Sequence, residues 1–132
     1  MNSRVNWPLF LAALAGGSAI MMGAFGAHAL QGSLDARSLE VFQTAVRYQM
    51  WHSLALLFVA FGENSIKLRI WRYASALFLM GMVLFCGSLY ALVFGAPSRI
   101  GLLTPFGGLC LMCGWFTLAL VAWRIRRDEN RV

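Results

Sequence analysis

The stretch QTAVRYQMWHSLALLFVAFG, residues 43–62, decides how this chain folds. Its second half is apolar enough to lie in a lipid bilayer, whereas the polar side chains of its first half include Arg47, Tyr48, Gln49 and His52. An ionisable side chain inside a membrane segment is costly, so the other helices must pack around it. Tyr48 and Gln49 precede His52 by four and three residues, which places the three side chains on one face of a helix.

The composition is that of an integral membrane protein. Of the 132 residues, 60% are hydrophobic and 12% are charged, and the mean hydropathy is +0.68; a typical soluble domain has about 25% charged residues. The net charge of +6 does not indicate nucleic-acid binding, because the basic residues lie at the ends of apolar segments and form no basic face. We therefore expect membrane lipid, and no nucleic acid, as a partner.

Four apolar segments are long enough to cross a membrane as helices. Gly32 and Ser33 are expected to end the first helix and cap the next, which begins near Leu34 as an interfacial segment. Residues 95–98 (GAPS) are expected to break the third helix, and Ile100–Leu103 is expected to be an apolar loop. Thr104-Pro105 predicts the cap and first turn of the fourth helix. The predicted fold is an all-α integral membrane four-helix up-down-up-down bundle, a single domain over 1–132, with spans at about 7–30, 43–62, 73–94 and 105–123 and an interfacial helix at 34–42.

The distribution of lysine and arginine predicts the orientation. Eight of these residues lie on one side of the predicted bundle and three on the other, and the positive side faces the cytoplasm. Both termini are therefore expected in the cytoplasm, in the cell inner membrane. The counted residues are Arg4, Lys67, Arg69, Arg72, Arg124, Arg126, Arg127 and Arg131 on the inner side and Arg37, Arg47 and Arg99 on the outer side; Trp7, Trp71, Tyr73 and Trp123 are expected to form the inner aromatic belt.

The first span contains small residues at every fourth position, Ala15, Ala19, Gly23 and Ala27. Such a ladder lets another helix approach closely in lipid, and we expect it to pack within the bundle rather than form a dimer face. Ala27-His28-Ala29 fits a signal-peptide cleavage site, but the apolar run is longer than a usual signal sequence and three more spans follow, which favours an uncleaved helix.

The predicted topology brings polar side chains from all four spans into the outer half of the membrane. They form a candidate pocket for a small polar ligand, a proton-relay step or a metal; the alternative is hydrogen bonding between helices with no further role. The residues are His28, Tyr48, Gln49, His52, Ser88, Tyr90 and Thr104.

Two cofactor hypotheses are weaker. His28 and His52 could ligate a haem, but their expected depths differ by about 10 Å, whereas opposed axial ligands should be level. Cys110 and Cys113 form a C-x-x-C pair inside an apolar helix, with Cys86 in the third span, which is a poor zinc or redox signal without further ligands. We expect no cofactor and no metal.

Several motifs of the chain resemble the YgdD-like family of small inner-membrane proteins, a family without an assigned activity. The motifs are residues 23–28 (GAFGAH), 42–52 (FQTAVRYQMWH), 87–90 (GSLY), 104–108 (TPFGG) and 114–115 (GW). The resemblance implies a four-helix membrane protein with an uncleaved first span. It also implies that the polar residues recurring in the family correspond to the candidate pocket, to which it adds Gln43.

The leading hypothesis for the function is a non-enzymatic binding or assembly component, as a homo-oligomer or as a subunit of a membrane complex. One alternative is a pathway for a small solute or protons, although the inner halves of the spans are almost wholly apolar. The other is an enzyme acting on a lipid or quinone, with His52 as the base and Tyr48 as its partner. No carboxylate lies at membrane depth to assist such a reaction.

Overall fold

Four long α-helices account for most of the chain. The computed structural model describes residues 6–62 and 69–129, with no strand in these ranges; Arg4, Lys67 and Arg131, which entered the count of basic residues, lie outside them. The described part of the chain is all-helical, as predicted. The helices are α1 (Trp7–Phe25), α2 (Ala36–Gly62), α3 (Arg69–Val93) and α4 (Leu103–Glu129).

Three helical segments are long and apolar enough to cross a membrane, namely Trp7–Leu30, Arg69–Val93 and Ser98–Arg124. Helix α2 contains the predicted second span, 43–62, but does not reach the same hydropathy. Its polar residues, Arg47 and His52 among them, lower the average over the segment that would lie in lipid. The helix with the most polar side chains is therefore the one that the others must shield.

Consecutive helices pack against each other. The Asn6 side chain, at the start of α1, donates to the Ala60 carbonyl near the end of α2 at 3.4 Å. At the other end of α1, Gly26 lies against the Phe42 ring, so that a Cβ on Gly26 would be 2.7 Å from Phe42 Cε1. Helices α1 and α2 are thus antiparallel. The main core lies where α2, α3 and α4 meet, and its fully buried side chains include Leu56, Val59, Phe78 and Val121.

The small residues of α1 pack against α2, as expected. Ala12 and Ala19 are buried, and a Cβ on Gly16 would lie 3.2 Å from the Ser53 hydroxyl. Ala27, the last member of the predicted ladder, is exposed. The helix widens just before it into a π-helical turn over Gly26–Leu30, which rotates the following side chains relative to a regular helix.

The start of α2 differs from the sequence prediction, because Asp35 caps the helix and Ser33 does not. The Asp35 carboxylate accepts hydrogen bonds from the backbone N–H groups of Arg37 and Ser38, both at 3.0 Å, and from the Ser38 hydroxyl at 2.6 Å. These bonds, above all the one from the Ser38 hydroxyl, lower the pKa of Asp35. The Ser33 hydroxyl instead donates to the Ala29 carbonyl, at 3.2 Å.

The connection between α3 and α4 also differs from the prediction in part. Gly95 ends α3 as expected, with a left-handed φ of 89°. The Ala96 N–H donates to the Ala91 carbonyl at 2.9 Å, as in a helix C-terminus closed by glycine. The segment expected to be an apolar loop before Thr104 is a 3-10 helix over Ser98–Leu102, and α4 follows it directly at Leu103.

Trp71 is not part of an exposed aromatic belt, contrary to the prediction. Its side chain is only 4% exposed, and its indole N–H donates to the Val59 carbonyl at 2.7 Å. The ring lies over Gly62, where a Cβ would collide with it. Trp7, Tyr73 and Trp123, by contrast, are exposed.

Candidate functional site

Gln49 lies at the centre of a hydrogen-bonded network that joins three helices. Its amide nitrogen donates to the Ala15 carbonyl at 2.9 Å and to the Ser18 hydroxyl at 2.8 Å, both on α1. Its amide oxygen accepts a hydrogen bond from the Tyr90 hydroxyl of α3 at 2.8 Å. The Ser18 hydroxyl also donates to the Ala15 carbonyl, at 3.1 Å. One side chain of α2 thus holds α1 and α3 in fixed positions.

These bonds form the floor of a groove between α1 and α3. The two helices lie on either side of α2, and the space between them has a volume of about 540 Å³. Apart from Ser18, Gln49 and Tyr90, the groove is lined by apolar side chains, by glycine and by the Cys86 thiol. Its lining residues are Leu11, Leu14, Ala15, Ser18, Gln49, Leu79, Met82, Val83, Cys86, Gly87 and Tyr90.

His52 lies outside this groove, in the core that α2 forms with α3 and α4. It is 5% exposed, and its Nδ1 is 2.8 Å from the Tyr48 carbonyl. Its Nε2 accepts a hydrogen bond from the Trp115 indole N–H at 3.2 Å. Because an indole can only donate, Nε2 must be the bare nitrogen and Nδ1 must carry the proton. Both ring nitrogens are therefore engaged, and neither is free to act as a base or to bind a metal.

Aromatic rings enclose the His52 imidazole. The Tyr48 ring stacks on it with centroids 5.8 Å apart and planes inclined by 20°. Phe78 and Trp115 approach at 5.8 and 6.2 Å, and Phe85 lies 4.8 Å from the Tyr48 ring. In this environment His52 joins α2 to α4 through its hydrogen bond with Trp115.

Ser88 and Thr104 form a separate polar contact between α3 and α4. Their hydroxyl oxygens are 2.7 Å apart. The Ser88 hydroxyl donates to the Phe85 carbonyl at 2.9 Å, so Thr104 is the donor in the pair. The Thr104 hydroxyl thus bonds across the helix interface instead of capping its own helix, and the pair holds the start of α4 against α3.

His28 and Gln43 are exposed. His28 lies in the π-helical turn after α1. Gln43 and Arg47 line a smaller cleft of about 230 Å³ between α1 and α2, where the Arg47 guanidinium donates to the Thr44 hydroxyl at 3.4 Å. The eight predicted residues therefore do not form one pocket: Gln49 lies with Tyr90, Tyr48 with His52 and Ser88 with Thr104, whereas His28 and Gln43 are exposed.

The cysteines form no cluster. Cys86 is buried, whereas Cys110 is half-buried and Cys113 is exposed. Across residues 6–62 and 69–129, no three His, Cys, Asp or Glu side chains come together as a metal site would require. Only the Cys86 thiol borders the groove between α1 and α3.

Sequence reasoning missed two residues of the polar contacts, Ser18 and Trp115. Ser18 is the only hydroxyl-bearing residue between Trp7 and Leu30, which singles it out as a hydrogen-bonding residue of that span. Trp115 carries an N–H in the middle of an apolar helix, and such a group needs an acceptor. Its position opposite His52 depends on the register between α2 and α4, which no local pattern contains.

Comparison with known proteins identifies relatives of this chain. Residues 22–108 match a family described as "Protein of unknown function (DUF423)". An Escherichia coli protein named UPF0382 inner membrane protein YgdD is 38% identical over 128 residues, which are 96% of this chain and 95% of that protein. No solved structure matches the chain.

Two further relatives have similar names and lengths. A UPF0382 membrane protein of Haemophilus influenzae is 40% identical over 114 residues, covering 84% of this chain and 89% of the relative. A UPF0382 membrane protein of Staphylococcus aureus is 36% identical over 116 residues, covering 88% and 94%. These names assign no activity to the proteins.

Proposed function

This chain belongs to the DUF423 family of membrane proteins of unknown function, and from that premise we propose that it is a non-enzymatic protein that binds a membrane lipid. The proposed binding site is the groove between α1 and α3 above Gln49. The observation that carries the proposal is the combination of apolar walls with a polar floor, because sites for small molecules are mostly apolar and hold a few placed polar groups.

The chemistry of the groove favours binding over catalysis. Its lining contains no carboxylate, amine or imidazole; its two ionisable side chains are the Cys86 thiol and the Tyr90 phenol, and the Tyr90 hydroxyl already donates to Gln49, which is a poor acid–base pair for catalysis. The long apolar walls suit a hydrocarbon chain, and the amide and hydroxyl groups of the floor suit one polar group on that chain. In a bilayer such a groove is in contact with lipid, which supplies the ligand without an aqueous entry path.

The proposal includes a topology for the chain. We propose that the four helices cross the cell inner membrane as an up-down-up-down bundle with both termini in the cytoplasm. The excess of lysine and arginine on one side supports this orientation, and the burial of the His52 face of α2 supports a spanning position for that helix. The homo-oligomer or larger membrane complex expected from the sequence is part of the same proposal.

Filling the groove should strongly reduce lipid retention. In Gly87→Trp the indole is attached at a residue that lines the groove and at which a Cβ meets nothing within 4 Å. We expect the lipid that remains bound after release from the native membrane, measured by native mass spectrometry, to fall by about tenfold. The matched control is Gly17→Trp, which adds the same side chain to α1 at a position that is equally open but is not part of the groove lining.

Comparison of the two variants distinguishes lipid bound in the groove from lipid that adheres nonspecifically to the apolar surface of the helices. If Gly87→Trp and Gly17→Trp retain the same amount of lipid as the wild type, the groove is not the binding site. If both lose lipid equally, the retained lipid belongs to the general annulus around the helices, and the proposal is wrong.

A further inference from the structure

We infer that the lipid bound in this groove carries a free, uncharged hydroxyl group, which donates a hydrogen bond to the groove floor. The inference rests on the proposed function and names the chemical class of its ligand. It follows from counting the donors and acceptors that Ala15, Ser18, Gln49 and Tyr90 have left over.

The orientation of the Gln49 amide is fixed by its partners. The Ala15 carbonyl can only accept a hydrogen bond, so the group that lies 2.9 Å from it must be the amide nitrogen. The amide oxygen then faces Tyr90, 2.8 Å away, and the Tyr90 hydroxyl must donate to it. The opposite orientation of the amide would place two oxygen acceptors against each other at Ala15.

Every hydrogen of the floor is then committed. The two amide hydrogens of Gln49 go to Ala15 and Ser18, the Ser18 hydrogen goes to Ala15, and the Tyr90 hydrogen goes to Gln49. What remains are lone pairs on Ser18 Oγ, Gln49 Oε1 and Tyr90 Oη, because each of these oxygens can accept a further bond. The floor can therefore accept hydrogen bonds from a ligand but has none to donate.

This disfavours ligands whose polar groups only accept, because the one other side-chain donor in the lining, the Cys86 S–H, is weak. An ester, an ether or a quinone carbonyl would place oxygen lone pairs against those of the floor, and each would lose the hydrogen bond it makes elsewhere. A long-chain alcohol, a polyprenyl alcohol or a diacylglycerol presents the required O–H group.

The depth of the floor excludes a charged donor. Ser18 is near the middle of the Trp7–Leu30 segment, about 17 Å from either end at ~1.5 Å per residue. An ammonium group at that depth is strongly disfavoured, and no carboxylate lines the groove to pair with it. A neutral hydroxyl group also donates a hydrogen bond, and its desolvation costs much less than that of an ammonium group.

The test compares two probes that share the same alkyl chain and oxygen, one with the hydroxyl hydrogen and the other with a methyl group in its place. Hexadecan-1-ol and hexadecyl methyl ether are added at equal mole fraction to the purified full-length protein in detergent, and the bound fraction of each is measured by native mass spectrometry. We expect the alcohol to be preferred by about fivefold, as for one net hydrogen bond. In Gln49→Leu the Tyr90 hydrogen is released and can donate to the ether oxygen, so the preference should disappear.

The outcomes distinguish this inference from the proposed function. Equal binding of alcohol and ether to the wild type, with both lost in Gly87→Trp, would overturn the hydroxyl selectivity and leave the groove as the binding site. Absence of binding by either probe would contradict both. A preference for the alcohol that persists unchanged in Gln49→Leu would place the recognised hydroxyl away from the groove floor and overturn the inference.

Discussion

Gly107→Ala is expected to destabilise the protein by about 3 kcal/mol, the upper end of the cost of overpacking. A Cβ at Gly107 would lie within contact distance of the backbone of α3, colliding with the Phe85 nitrogen and lying 2.8 Å from the Leu84 carbonyl carbon. A flexible side chain could move aside, but the backbone of a packed helix cannot. The two helices must therefore separate along their length, which also weakens the Ser88–Thr104 bond and the contact of Leu111 with Gly81.

The neighbouring glycine provides the control. A Cβ at Gly108 would meet only the Phe85 ring, 3.7 Å from Cδ2, which is an ordinary contact. Gly108→Ala therefore adds the same methyl group to the same helix without a clash, and the gain in helix propensity of up to about 1 kcal/mol should leave it as stable as the wild type or more so. Unfolding by titration with sodium dodecyl sulfate in mixed micelles measures both; equal stability of Gly107→Ala and Gly108→Ala would contradict this packing of α3 on α4.

Gln49→Leu should cost about 2 kcal/mol of stability. The substitution removes the bonds to Ala15, Ser18 and Tyr90 together. Single interhelical hydrogen bonds in membrane proteins contribute about 0.6 kcal/mol on average, so three lost bonds account for most of the expected change. Because Ser18 of α1 and Tyr90 of α3 both lose their hydrogen bonds to α2, we also expect α1 and α3 to be less firmly held to α2.

Gln43→Leu is the matched control, since it removes the same amide from the same helix. The Gln43 side chain is exposed and lines the small cleft near Arg47, away from the network. Its substitution should change the free energy of unfolding by less than about 0.5 kcal/mol. Similar losses of stability in Gln49→Leu and Gln43→Leu, measured by the same detergent titration, would mean that the three-helix network does not hold the helices together.

Local patterns predicted the helices better than their ends and contacts. The apolar runs and the break at Gly95 located α1, α3 and α4, because length, hydropathy and glycine each act within a few residues. The cap of α2 was assigned to Ser33 and proves to be Asp35, since both are good capping residues and only the backbone geometry selects one. Trp71 was expected at the membrane interface but is buried. Its ring packs over Gly62, nine residues away on another helix, where the absence of a side chain leaves room for it.

The polar residues were recognisable one by one, but their grouping was not. Tyr48, Gln49 and His52 share a face of α2 by spacing alone, yet the structure directs Gln49 towards α1 and α3 and His52 towards α4. One face of a helix can contact two neighbouring helices, one at each edge of the face. Which helix a given side chain contacts therefore depends on how the neighbouring helices are placed around α2. That information resides in the packing of Gly107, Gly81 and Gly16 against other helices, not in the polar residues.

The most direct test of the proposed function is to determine where a membrane alcohol attaches. The full-length protein in lipid nanodiscs is irradiated with a hexadecan-1-ol analogue that carries a diazirine near the hydroxyl, and the labelled residues are identified by peptide mass spectrometry. We predict labelling of α1 between Leu11 and Ser18 and of α3 between Leu79 and Tyr90, lost in Gly87→Trp and retained in Gly17→Trp. Labelling spread equally over the outward side chains of α4, such as Phe106 and Phe116, which are exposed, and unchanged in Gly87→Trp would contradict a lipid site in the groove.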